Sequence, residues 1–420
     1  MGVVTGMTST GVDGTSVMSI LAGTPPGFSG HVEYQYDYGP ELLPNAACVH
    51  QGMWRYSGLL PLDDGPILYP LAIGQTPLTG PPPLRAKLRM PGLWLKDETR
   101  APTASNKDRA TGLVLEHALR TGATTVSCAS TGNIAASLAV GAAAVGLEAV
   151  VFVPADVSTA KLAVILFAGA RVLLMRSGYQ SAFELSREAA VAFGWLDRNT
   201  GVNPATTEAK KTAAFEIWEQ LGGEIPDVVV VPAGDGVTLC GMAKGFHELR
   251  ACGASTTLPR IVGVQAEGCQ PLKRAWEQGT APAEVDPVTI ADGIAVGTPV
   301  SGGAAIRYVR ESRGGFVAVS DDNMLRASEL MGRHAGVIAE PAGAAALAGL
   351  LEAVESGLIG ASERVVVHVT GSGLKTPQYL RSEVRPPEID ATLDDVSRAL
   401  GRDGQTEGIL LGRGEAGDDA

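Results

Sequence analysis

Short β-branched runs alternate with helix-period segments through the middle of the chain. TTVSCAS (124–130) leads to a helical stretch from about 133, then EAVVFVP (148–154), a second helix from about 158, and ARVLLMR (170–176). Strands that alternate with helices in this way predict a parallel sheet covered by helices, hence an α/β fold. Two further runs, PDVVVVPAG (226–234) and RVVVHVTGSG (364–373), are apolar throughout and end in glycines. They read as fully buried strands, and in open α/β sheets ligands sit beyond the carboxyl ends of such strands. Residues 1–30 are rich in Gly, Ser, Thr and Pro without periodicity, and 383–420 is charged and Gly-rich. Both ends are predicted to be loosely attached or mobile.

A chain of 420 residues is long enough for two packed domains with tails. Hydrophobic residues at 45% against charged residues at 19% place it among globular proteins rather than disordered ones. The net charge of −12, with no Lys/Arg cluster, argues against a nucleic-acid partner. No apolar run reaches the roughly 18 residues of a membrane span, and MGVVTGMTSTGVDG lacks the basic flank and apolar stretch of a signal peptide. A cytoplasmic location with no membrane partner is the expectation. Cys48, Cys128, Cys240, Cys252 and Cys269 show no CxxC pairing and the six histidines no HExxH spacing, so neither a disulfide framework nor a metal site is expected. The cysteines read as small buried apolar residues.

Four segments carry candidate chemistry. In WLKDETRAPTASNKDRAT (94–111), Lys107 falls at a predicted helix start, where the positive end of the helix dipole disfavours an ammonium and helps keep the amine neutral. A nucleophilic or Schiff-base-forming lysine needs that neutral form. An ordinary surface lysine paired with Asp108 or Glu98 fits the same segment. In CASTGNIAAS (128–137), Ser130, Thr131, Gly132 and Asn133 end a strand as a helix begins; they suit a carboxylate or phosphate receptor, or a plain N-cap. In VPAGDGVTLCGM (231–242), Gly234 to Thr238 form a loop whose backbone N–H groups can close around a phosphate; without GK[ST] it implies no ATP. After the last buried strand, Thr370 or Ser372 can present a hydroxyl to a pyridine nitrogen. Glu340 in AEPAGAAA fits either an orienting carboxylate or a helix-initiating acid before proline.

Together and in this order these segments resemble the fold-type II family of pyridoxal-phosphate (PLP) enzymes, which includes threonine synthases, serine/threonine dehydratases and cysteine synthases, with the threonine synthases most similar. The resemblance spans roughly 53–380 and rests on GMWRYSGLLP, IGQTPL, LKDETR, SNKDRA, STGNIAAS, NPATTEAKKT, GVQAEG, TIADGIAVG, EPAGAAALAGL and TGSGLK. It implies PLP as cofactor, with Lys107 as the lysine that bonds it and shuttles protons. Asn133 then faces the ring hydroxyl, and Gly234, Asp235, Gly236, Val237 and Thr238 surround the phosphate. Thr370 meets the pyridine nitrogen. Ser130, Thr131 and Gly132 grip the substrate carboxylate, and Asn203 holds a substrate-side position. The pattern departs from threonine synthases at Asn106, where phenylalanine is usual, and at Ser372, where many members have histidine. It departs also near Gly178 and Glu184, where some members contact a substrate phosphate, and ahead of the WRY segment, where only Cys48 remains of a cysteine-bearing metal knuckle.

The resemblance further implies two domains with the cofactor in the cleft between them, and parallel and mixed sheets covered by helices. The boundaries are an N-terminal extension, 1–52; a large cofactor-binding domain, 53–114 and 206–382; a small mobile domain, 115–205; and a tail, 383–420. It implies a homodimer acting on a small amino acid: a carbon–oxygen lyase converting O-phosphohomoserine and water to threonine and phosphate. The alternative keeps the cofactor and takes serine, threonine or an activated derivative, in a dehydratase or β-replacement reaction.

Overall fold

The computed structural model describes residues 4–11, 17–20, 30–44, 48, 50–130, 132–155, 159–176, 178–380 and 386–401. The chain divides into two compact units, Met1–Tyr379 and Leu380–Ala420. In the second, a short helix, Leu393–Ala399, starts at Thr392, whose hydroxyl accepts from the Asp395 N–H at 3.2 Å.

Among the described residues the first unit is built on three sheets. The strands in chain order are β1 (Val4–Gly11), β2 (Val17–Ile20), β3 (Gly30–Tyr36), β4 (Leu78–Thr79), β5 (Leu93–Asp97), β6 (Thr125–Ala129), β7 (Glu148–Pro154), β8 (Arg171–Met175), β9 (Leu196–Asp197), β10 (Val228–Pro232), β11 (Arg260–Ala266), β12 (Gly315–Val319) and β13 (Val365–Val369). The largest sheet has the order β12-β11-β10-β13-β5-β4, parallel except for β4. A four-stranded parallel sheet, β8-β7-β6-β9, draws all its strands from residues 125–197. The β-branched runs form strands because both faces are covered: β10 and β13 are buried at every position. One face of the large sheet packs on helices Asp321–Ala335 and Pro341–Glu355, the other on Ala205–Gln220, Val237–Ala251 and Gly302–Glu311. The small sheet packs on Lys107–Thr121 and Asn133–Val145.

The N-terminal stretch, read from sequence as aperiodic and loose, contains the third sheet, β2-β1-β3, antiparallel throughout. Ser9 and Thr10 are buried although polar, so no hydrophobic alternation marks the strand. The sheet is tied to the body by polar contacts. The His31 ring lies 2.9 Å from Ser301 Oγ, and the Tyr308 hydroxyl donates to Glu33 at 2.8 Å. The Tyr36 hydroxyl donates to Glu208 at 2.9 Å. Glu208 also pairs with Lys211 and Lys244, which in turn meet Glu248.

A second buried ionic network fixes the helix that begins at Lys107. The Arg109 guanidinium donates to Glu98 at 2.7 and 2.9 Å and to Glu216 at 2.6 and 2.8 Å, while Lys96 Nζ donates to Glu216 at 2.6 Å. Arg109, Lys96, Glu98 and Glu216 are all buried. Such a cluster contributes little net stability relative to an apolar packing, but it is costly to break and it sets register. Here it locks β5, the Lys107 helix and the Ala205–Gln220 helix together.

No helix among the described residues is long and apolar enough to cross a membrane. Cys128, Cys240, Cys252 and Cys269 are buried as expected, Cys48 is half-buried, and all five are free thiols.

Candidate active site

The candidate residues converge because each follows the carboxyl end of a parallel strand. Lys107 follows β5, Ser130–Asn133 follow β6, Gly234–Thr238 follow β10 and Thr370 follows β13. Backbone hydrogen bonds stitch these loops together. The Asn106 N–H donates to Thr370 O at 2.9 Å, Ser372 N–H to Ala104 O at 3.0 Å and Glu340 N–H to Gly371 O at 3.1 Å. Ser105 bridges Gly371. Ala104 holds φ at +57°, a left-handed conformation costly for a residue with a Cβ. Its strain is held by the Ser372 bond and by its own N–H on Ala101 O at 2.8 Å. The turn that presents Lys107 is therefore over-determined by its surroundings.

Lys107 is the first residue of its helix and keeps part of its surface accessible. Burial pushes its ammonium below the ordinary lysine range; Arg198 adds to the push, while Asp235, Glu340 and Asp292 oppose it. Of the two alternatives for this lysine, the structure leaves Asp108 and Glu98 to others. Asp108 accepts from the Thr103 N–H at 2.7 Å and from the Thr103 hydroxyl, and Glu98 from Arg109.

The loop after β10 is narrow by construction. A Cβ on Gly234 would stand 3.0 Å from Ile294 Cα. Gly236 has φ +90°, and a Cβ there would lie 3.0 Å from Ser301 O. The Asp235 carboxylate turns back to accept from the Val237 N–H at 3.0 Å, and Asp235 O accepts from Ser301 N–H at 3.1 Å. The helix Val237–Ala251 begins here, so its free N–H groups face the loop. Thr238 is buried, and its hydroxyl accepts from Asn106 Nδ2 at 3.4 Å.

Asn133 opens the helix after β6, and its amide is engaged at both ends. Nδ2 donates to Glu340 at 2.7 Å, and Oδ1 accepts from Lys375 Nζ, which also donates to Thr103 O at 2.9 Å. Burial raises the Glu340 carboxyl, with Asp292 adding to the rise. Glu340 precedes Pro341 at a helix start, as one of its two sequence readings has it, and its carboxylate accepts from Asn133. Ser130 Oγ accepts from the Gly132 N–H at 3.2 Å, and Gly132 sits at the N-cap of the Asn133 helix. Thr131 lies outside the described residues. Ser372 uses its hydroxyl to cap the turn at Leu374 N–H, leaving Thr370 as the hydroxyl of that pair without such a task. Asn203 spends both ends of its amide on its own turn, donating to Asp197 O at 2.9 Å and accepting from Ala205 N–H at 3.0 Å. Gly178 caps the helix Tyr179–Phe193, and Glu184 lies on its exposed side.

Sequence reasoning missed Arg198, Lys210 and Lys375. Arg198 is fully buried, and its guanidinium donates to Lys107 O at 3.2 Å, Thr111 Oγ1 at 3.0 Å and Thr200 Oγ1 at 2.9 Å. An arginine placed directly after the two-residue strand β9 was a usable signal, since an uncompensated charge at a strand end faces the ligand side of such a sheet. Lys375 stood in TGSGLK, but its partner Asn133 is 242 residues away in sequence, and Lys210 stood in NPATTEAKKT with nothing in the sequence to mark it as buried.

A half-buried lysine whose ammonium is disfavoured, beside a glycine-lined loop at a helix start, fits a cofactor with an aldehyde and a phosphate. Residues 69–371 match the family described as pyridoxal-phosphate dependent enzyme. The chain is 37% identical to threonine synthase of Methanosarcina acetivorans over 353 residues, 83% of this chain and 86% of that one. It is 38% identical to threonine synthase of Mycobacterium tuberculosis over 339 residues, 80% and 92%. Among solved structures, a threonine deaminase of T.th. aligns with TM-score 0.60 and 26% identity over 74% of this chain and 94% of that one. A threonine deaminase isoform of Solanum lycopersicum aligns with TM-score 0.62 and 21% identity over 78% and 88%, which bears on the fold alone. With the family match covering most of its length and the relatives agreeing over four-fifths of it, this chain belongs to the pyridoxal-phosphate dependent enzymes of fold-type II.

Proposed function

We propose that the chain is a threonine synthase, converting O-phosphohomoserine and water to threonine and phosphate. The observation that carries the reading is Lys107, a helix-start lysine whose ammonium is disfavoured, in a chain 37–38% identical to threonine synthases over four-fifths of its length. When bound, PLP supplies the electron sink that makes the substrate's α- and β-protons removable. The protein's own groups do the rest. Backbone N–H groups at the start of the Asn133 helix, with Ser130, hold the substrate carboxylate. Glu340 and Lys375 keep Asn133 at the ring side of the site. The Gly234–Thr238 loop would hold the cofactor phosphate, and Thr370 would offer a neutral hydroxyl to the ring. The Lys107 amine would take the α-proton and then a β-proton; phosphate leaves the γ-carbon with its bonding electrons, and the amine then returns a proton to the γ-carbon. The hydroxyl of water adds at the β-carbon, and a proton returned to the α-carbon completes threonine.

The four-stranded sheet carries the substrate-side loop and the large sheet the cofactor-side groups, which supports closure of residues 115–205 on the substrate as a gate against early water. Asn203 contributes by shaping the turn beside β9. We further propose a cytoplasmic homodimer.

One observation favours the second reading, a dehydratase or β-replacement enzyme on a serine or threonine derivative. Asn106, where the resemblance has phenylalanine, places a buried amide next to Thr238 and adds polar recognition near the cofactor loop. The test is a single set of assays on the PLP-loaded protein. O-Phosphohomoserine should give phosphate and threonine in equal amounts. Ammonia release from serine or threonine, with O-phosphohomoserine untouched, would replace the first reading by the second.

A further inference from the structure

Lys210 lies on the Ala205–Gln220 helix where that helix presses on the start of Val237–Ala251: a Cβ added at Gly241 would stand 2.9 Å from Lys210 Cβ. The side chain is buried, with 2% of its surface exposed, and its Nζ has no hydrogen-bond partner among the described residues. A buried cation is normally paired, and a lone one is costly. The charged groups that act on it most are Lys107, Asp235 and Arg198. Asp235 acts electrostatically on all three of Lys107, Arg198 and Lys210, while its carboxylate is already turned back onto the Val237 N–H. Among the described residues no carboxylate bonds the Lys210 amine, which is left without a partner beside the helix that starts at the glycine loop.

We propose that Lys210 is the counter-charge for the cofactor's phosphate group, reaching it from beneath the Gly234–Thr238 loop. This rests on the reading of that loop as the phosphate site. The loop offers backbone N–H groups, Thr238 and a helix start to a dianion, and the Lys210 amine, without a partner among the described residues, adds a cation to them when the phosphate arrives. Without the phosphate, Lys210 is a burden. Burial holds its ammonium well below the ordinary lysine range, and repulsion from Lys107 adds to this. A folded value below the unfolded one means that the unfolded chain binds the proton more readily, so the lysine costs the cofactor-free protein stability below the ordinary lysine pKa.

The experiment titrates the cofactor-free full chain with PLP and, separately, with pyridoxal, which lacks the phosphate, in wild type, Lys210→Met and Lys210→Arg. Thermal melts are recorded for each without cofactor. The expected result is a wild-type preference for PLP over pyridoxal that falls about ten- to a hundredfold in Lys210→Met, the range for a hydrogen bond to a charged group. Pyridoxal binding should stay unchanged, and Lys210→Arg should recover part of the preference. The cofactor-free Lys210→Met chain should melt no lower than wild type. A preference for PLP that survives Lys210→Met overturns the assignment of Lys210 alone. A wild-type chain that binds PLP no better than pyridoxal overturns the loop reading and the lysine's role with it. A lower melt with an unchanged preference makes Lys210 a packing residue and likewise overturns the proposal.

Discussion

Replacing Gly236 with alanine tests whether the loop after β10 is built to hold a phosphate. Gly236 has φ +90° and ψ −19°, in the left-handed region where an L side chain costs about 1–2 kcal/mol. The new Cβ would meet Ser301 O at 3.0 Å and Ala305 Cβ at 3.2 Å, so Ser301 must shift by a few tenths of an ångström. Ser301 cannot yield freely, because its N–H donates to Asp235 O at 3.1 Å and its hydroxyl meets His31 at 2.9 Å. Together these put the loss of stability at about 2–3 kcal/mol, within the range of glycine positions with incompatible dihedrals. The functional effect is of similar size. Re-aiming one loop N–H away from a phosphate removes a charge-assisted bond worth about 1.5–3 kcal/mol, roughly ten- to a hundredfold in PLP affinity. The assay is a titration of the cofactor-free Gly236→Ala chain with PLP beside a denaturant melt. Unchanged PLP affinity in a folded variant would refute the phosphate role of the loop, and unchanged stability would refute the close approach to Ser301.

The Arg109 network yields a second expectation. Arg109→Met leaves Glu98 and Glu216 buried without their cation and should cost about 3–5 kcal/mol in a denaturant melt. A loss below about 1 kcal/mol would contradict the buried pairing. Glu216 also sets an acid limit. Burial works against its charge, yet Arg109 and Lys96 hold the carboxyl down at about 2 from an ordinary 4.5. A depressed folded value means the unfolded chain takes the proton first, so this stabilisation is complete above about 4.5 and is lost as pH falls toward about 2. A stability profile flat across that window, or identical in Glu216→Gln, would sink the assignment. Gly371→Ala would put a Cβ 2.2 Å from Glu340 Oε1 and dislodge the carboxylate that orients Asn133. Steady-state kinetics should then give a kcat/KM lower by about ten- to a hundredfold, the cost of misplacing a positioning group. Unaltered kinetics would separate Asn133 from the site.

What could be read from the sequence was what depends on neighbours in the chain. The β-branched runs at 125–129, 148–154, 228–232 and 365–369 are strands, and Lys107, Asn133 and Val237 begin helices where the turn residues placed them. Ser105–Lys107, Gly234–Thr238 and Thr370 could be picked out because each follows a recognisable buried strand. The partners that tune them were not legible. Arg198 reaches Lys107 O across 91 positions, Glu340 reaches Asn133 across 207, and Lys375 reaches it across 242. No periodicity encodes such meetings; they follow only from the order of the strands. The N-terminal sheet was missed for another reason. Its buried positions include the polar Ser9, Thr10, His31 and Glu33, the last two meeting Ser301 and Tyr308 on another part of the chain, so the hydrophobic signal that marks a strand is absent.

Every role assigned in the site depends on which lysine bonds the cofactor, and that can be read directly. The PLP-loaded protein is reduced with borohydride, digested, and its peptides are mapped by mass spectrometry. The expected result is the cofactor's added mass on Lys107, with the mark and the visible absorbance of the loaded protein both lost in Lys107→Ala. The mark on Lys210 or Lys375, or none on any lysine of a protein that turns over its substrate, would contradict it.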